Sequence, residues 1–196
     1  MLVHDVAMKR ITIVLTALLA AKAALAGTRS GVTMPDRVTV SDKTLTLNGM
    51  GLREATVLKV DVYVAGLYVE NASSDPATLI ASNQTKMITL RFKRHVDRDD
   101  IRIAWDQGFK RNATVPFTKL EPLITELNSW MPSFSKGDTL TFTLMPGKGV
   151  AVDINGKRKG ILGDDDFARS LISIWLGPRP PTDALKRGML GRHPST

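Results

Sequence analysis

Alternation of apolar and polar residues marks seven strands. Val38-Thr39-Val40 and Leu45-Thr46-Leu47 flank a polar Ser41-Asp42-Lys43-Thr44 turn, which predicts a hairpin. Val57 to Glu70 is the longest strand signal. One of its faces reads Leu58, Val60, Val62, Val64 and is expected on a core; the other reads Lys59, Asp61, Tyr63, Ala65 and is expected against water or a polar cleft. Met87 to Arg94 places Ile88, Leu90 and Phe92 on one side. Thr139 to Met145, the Val150-Val152-Ile154 run and Lys157 to Leu162 complete the strands, with Asn155-Gly156 as a tight hairpin turn.

Between them the period changes to that of a helix. Asp75-Pro76 opens a short helix to Ser82. Asp97 heads a helix to Asn112, with Ile101, Trp105 and Phe109 at helical spacing. Pro116 to Met131 carries Leu120, Leu123-Ile124 and Leu127 on one stripe. Asp164-Asp165-Asp166 supplies carboxylates to the positive end of a helix from Phe167 to Leu176, which Gly177-Pro178 stops. Thr182 to Leu190 is a last short helix. Gly49 and Gly51 lie in a stretch read as a turn, where they allow positive φ or a close backbone approach. Gly66, inside the longest strand, implies a bulge or a close contact. Strands in antiparallel order with helices grouped on one side make the fold class α+β.

The first residues are of a different kind. Lys9-Arg10, an apolar run from Ile11 to Ala21 and the small-residue ending Ala24-Leu25-Ala26 have the layout of a secretory signal peptide. We therefore divide the chain into a signal peptide (1–26), an N-terminal loop (27–36), a folded domain (37–191) and a tail (192–196). Met8 is an alternative start. The run is too short for a membrane span, which needs roughly 20 residues, so no span is expected after cleavage. A periplasmic or secreted location follows.

Composition narrows the chemistry. The chain has 196 residues, a formal net charge of +8, three histidines and no cysteine. That removes disulfides, thiol nucleophiles and cysteine-based metal sites, and makes a His-rich metal site improbable. No cofactor and no metal are expected. His95, the only histidine inside the domain, sits among Arg94, Asp97, Asp99 and Asp100 in what reads as an ordinary solvated turn. The basic residues lack interleaved aromatics of the kind that stack bases, so no nucleic acid partner is expected. Arg53, at the start of the long strand, and Tyr63, on its polar face, could together hold a carboxylate or enolate oxygen.

Two motifs carry a family resemblance. Leu47-Asn48-Gly49-Met50-Gly51-Leu52-Arg53, followed by Val62-Tyr63-Val64-Ala65-Gly66-Leu67-Tyr68-Val69-Glu70, resembles the opening strands of the chalcone isomerase family. Gly137-Asp138, Pro146 to Gly149, Asn155-Gly156, Gly160-Ile161, Asp166-Phe167 and Trp175-Leu176-Gly177 resemble its bacterial, secreted branch. The resemblance implies an open-faced β-sandwich, a large antiparallel sheet backed by helices, with a ligand cleft between them. The family's enzymes cyclise chalcones, and their arginine matches Arg53, the one residue implied for catalysis if this chain is an enzyme. Their strand threonine falls at Tyr63. The family's non-catalytic fatty-acid-binding group has an arginine and a tyrosine there, which hold the carboxylate. The enzymes' helix tyrosine and asparagine fall at Trp105 and Asn112, and a late threonine or serine falls at Ile174. Keeping the arginine while the threonine, tyrosine and late hydroxyl positions depart from the enzyme pattern implies binding without chemistry. The leading expectation is a monomer that binds a fatty acid or similar small anionic apolar ligand through Arg53, Tyr63, Trp105, Asn112 and Ile174. The alternatives are an isomerase (intramolecular lyase) of phenolic enones and a basic scaffold for an envelope partner.

Overall fold

A computed structural model describes residues 26–55 and 59–192. Residues before Ala26, where the signal peptide is expected, and the last four residues lie outside the described residues, as does Leu58.

The strands form a two-stranded hairpin and a seven-stranded sheet. The hairpin pairs β1 (Ala26–Arg29) with β2 (Val32–Pro35). The sheet runs in chain order: β3 (Arg37–Val40), β4 (Lys43–Ala55), β5 (Val60–Val69), β6 (Lys86–Phe92), β7 (Thr139–Met145), β8 (Gly149–Ile154) and β9 (Lys157–Leu162). Every neighbouring pair is antiparallel. Among the described residues five helices complete the fold: α1 (Pro76–Ala81), α2 (Arg98–Asn112), α3 (Phe117–Trp130), α4 (Asp165–Leu176) and α5 (Asp183–Met189). Among the described residues no helix is long and apolar enough to cross a membrane.

The main core lies between the sheet and α2, α3 and α4. It joins Ala65, Leu67 and Val69 of β5 and Ile88, Leu90 and Phe92 of β6 to Trp105, Phe109, Leu127, Phe167 and Trp175 of the helices. A second cluster lies on the other side of β4 and β5. There Met34, Leu45, Met50, Val64 and Tyr68 pack together, and the Tyr68 hydroxyl donates to Pro35 O at 2.9 Å.

Three expectations are corrected. Residues 27–36 are not a loop. They belong almost wholly to the β1–β2 hairpin, whose turn places Ser30 at φ 47° and Gly31 at φ 73°, left-handed values that suit a two-residue connection. The faces of β5 are exchanged: Tyr63, Ala65, Leu67 and Val69 face the helices, and Val64 faces the smaller cluster. The reason is that the hairpins cover the second side, so alternation between core and water gives way to burial on both faces. Gly49 and Gly51 do not turn the chain. They lie inside β4, where a side chain on either would collide with the α5 backbone, with Gly188 O at the first and Leu185 O at the second. Gly66 likewise makes a close contact, with Met34, while the register shifts fall at Leu47/Gly49 and Arg53/Glu54.

Helix starts follow the sequence. Asp75 caps α1 through bonds to Ala77 N and Thr78 N, and Asp164 caps α4 through Asp166 N and Phe167 N. Asp97 occupies the cap position of α2 without bonding its backbone, because its carboxylate contacts His95 Nε2 at 3.1 Å.

Candidate functional site

Arg53 and Tyr63 are opposite one another in the β4–β5 register, so they share the face turned toward the helices. Phe92 pairs with Tyr63 from the far side, its ring edge-on at 6.0 Å. Beyond Phe92 the chain leads through Arg94 and His95 into α2. This end of the sheet, the outward face of α2 and the α4–α5 connection enclose a cleft of about 560 Å³. That volume lies within the roughly 300–1,000 Å³ usual for small-molecule sites.

The phenol of Tyr63 reaches inward although its residue is partly exposed. Its oxygen accepts a hydrogen bond from Trp175 Nε1 at 3.2 Å, and Trp175 is fully buried. Burial pushes the Tyr63 hydroxyl up to about 12, against the opposing pull of the Trp175 bond and the Arg53 charge. The phenol therefore stays protonated at neutral pH. With its oxygen already accepting from tryptophan, its O–H remains free to donate. Beside it Arg53 donates to the carbonyl of Glu54.

Trp105 forms part of the cleft wall and is 4% exposed, with its ring edge-on to Trp175 at 5.7 Å and to Phe142 at 5.6 Å. Among the described residues its Nε1 has no hydrogen-bond partner. A buried N–H without an acceptor costs on the order of 1–3 kcal/mol. Ile174 also lines the cleft and packs against Gly108, where a Cβ would stand 2.8 Å from its Cγ2.

Four of the five predicted residues, Arg53, Tyr63, Trp105 and Ile174, thus meet in one cleft. Asn112 does not. It is buried at the end of α2, where Oδ1 accepts from Arg179 N at 2.9 Å and Nδ2 donates to Arg179 O at 2.9 Å and to Gly108 O at 3.1 Å. Both ends of its amide are engaged in fastening the segment after α4. The residues that sequence reasoning missed are Trp175, Arg94, Arg111 and Arg179. Trp175 follows Ile174 directly, and an indole in the last turn of a helix behind Tyr63 was the available signal. His95, read as solvated, is largely exposed but stands at the cleft.

A family model described as chalcone isomerase-like matches residues 26–191. The chain belongs to the chalcone isomerase-like family. No curated protein sequence matches it. Among solved structures it is similar to a fatty-acid binding protein of Arabidopsis thaliana, at 18% identity and a TM-score of 0.71. The match covers 85% of this chain and 96% of that one. The expected architecture, a curled antiparallel sheet backed by helices, is therefore the observed one.

Proposed function

We propose that this chalcone isomerase-like protein binds a small anionic apolar ligand, a fatty acid in the first instance, without converting it. The arrangement of Tyr63 carries the reading. Its oxygen is occupied by Trp175 and its proton is retained, so it offers one hydrogen-bond donor beside the Arg53 guanidinium. A carboxylate can accept from both, and charge-assisted bonds of this kind are among the stronger polar contacts. Val62, Ala104, Ile174 and Pro181 supply apolar wall for a chain. The similarity in fold to a fatty-acid binding protein agrees with this. An isomerase would need a base, and a phenol held near 12 is a poor one at neutral pH. Asn112, the polar helix residue an enzyme would retain, is bound up in structure instead.

Native mass spectrometry of the purified protein tests the reading. A copurifying mass is expected from the parent and not from Arg53→Ala; equal loading of both would refute it. We further propose that the protein is exported, cleaved after Ala26 and monomeric. An intact mass that still includes residues 1–26 in an envelope fraction would count against export, and a dimer mass in sedimentation would count against the monomer.

A further inference from the structure

Four arginines line the cleft: Arg53, Arg94, Arg111 and Arg179. Among the described residues none of them forms an ion pair, whereas Lys43, Lys93, Arg102, Lys119, Arg158 and Arg169 all meet carboxylates. A monoanionic head beside Arg53 and Tyr63 would leave most of this charge uncompensated.

Arg111 and Arg179 are set apart from the rest by their mounting. Arg179 is gripped at both its backbone N–H and C=O by the Asn112 amide, and Arg111 is the residue before Asn112. One clamp therefore fixes the backbone at both positions, and Arg111 Nη2 donates to Gln107 Oε1 at 3.4 Å within its own helix. The carboxylates of the cleft do not offset them. Asp97 contacts His95, and by helix rise it stands about 21 Å along α2 from Arg111, with Asp100 about 16 Å away. Arginine forks lining one cleft can together meet the oxygens of a phosphate.

We propose that the cleft takes an amphiphile whose head is a phosphate-type dianion, with Arg111 and Arg179 holding the charge that Arg53 and Tyr63 do not. This rests on the reading of the cleft as a site for an anionic apolar ligand. It differs in the class of head group. A phosphate could also arrive without a chain, so the test includes free phosphate.

Calorimetric titration of the purified protein at pH 8, where a phosphate monoester carries nearly two charges, would use dodecyl phosphate, dodecanoate, dodecan-1-ol and inorganic phosphate. Dodecyl phosphate is expected to bind about tenfold tighter than dodecanoate and far tighter than inorganic phosphate, and to weaken more steeply with salt. The double variant Arg111→Gln/Arg179→Gln should lose about tenfold for dodecyl phosphate and stay within about twofold for dodecanoate. Arg53→Gln should weaken both. Lys157→Gln, on exposed β9, removes a charge elsewhere and should change neither. Equal affinity for the two heads, or a double variant that still prefers phosphate, overturns the proposal and leaves the fatty-acid reading standing. Equal binding of inorganic and dodecyl phosphate removes the amphiphile. Binding of dodecanol alone, or of no probe, defeats both readings.

Discussion

The Tyr63 phenol keeps its proton because charging it would place an anion in a poorly solvated position, a cost that the neighbouring Arg53 and Trp175 only partly offset. Two outcomes follow. Affinity for a carboxylate amphiphile should stay flat between pH 7 and 10, since Tyr63 does not titrate there; a fall centred below pH 10 in a fluorescence titration would contradict this. Tyr63→Phe should lower that affinity about tenfold to a hundredfold, the worth of one hydrogen bond to a charged group. Arg53 and Tyr63 could be singled out because their motifs carry the family resemblance; the strand pattern alone put the faces of β5 the wrong way round. Trp175 was not legible in the sequence, because nothing in a helical stripe says which buried indole meets a polar atom on a sheet. Asn112 was misassigned for a related reason: an asparagine at a helix end serves a backbone clamp as readily as a ligand.

At the scale of elements, the strands and helices lie close to where periodicity puts them, and the sheet register follows from short turns. The errors fall where a third layer intervenes. No local pattern announces that α5 will lie across Gly49 and Gly51, or that a short hairpin will cover the outer face of β5. Gly51→Ala would drive a methyl into the Leu185 carbonyl. We expect it to cost roughly 1–3 kcal/mol in urea denaturation. Lys86 at the start of β6 makes a different prediction. It is 5% exposed, donates to Ser82 O and Gln84 O, and burial lowers its amine to about 8. The folded chain thus binds this proton more weakly than the unfolded chain, whose lysine titrates near 10.5. Its penalty on stability is complete below about pH 8 and is relieved as pH rises toward 10.5. Denaturation midpoints should rise over that window in the parent, and Lys86→Met should remove that rise.

For the whole molecule, a ligand that binds only the folded state must stabilise it. Saturation at a hundred times Kd would add about 2.7 kcal/mol, which for a chain of this size is roughly 5–10 °C in melting temperature. Thermal melts with dodecanoate should show this shift, and Arg53→Ala should abolish it. An unchanged parent melt would weigh against the cleft as a binding site. The α+β class was readable because the apolar period switches cleanly from two to three or four and back. The cleft itself was readable only through the family resemblance, since its walls come from β4, β5, α2 and the α4–α5 connection, segments more than a hundred residues apart.

The sheet is a meander, and its longest connection is the one that carries α2 and α3. The chain leaves β6 at Phe92, and on its return Gly137 N donates to Phe92 O while Phe92 N donates to Asp138 O. Departure and return are therefore tied at Phe92, and Val96 and Phe134 exchange a second pair of backbone bonds just inside the excursion, while Lys93 N still pairs with Val62 O of β5. That makes residues 94–136 an excursion closed at its base. Lengthening α2 or exchanging its outward face would reshape one wall of the cleft while the hydrogen-bond ladder kept its register. If the cleft binds as proposed, its preference can thus change by replacing one excursion, without a new sheet having to be found.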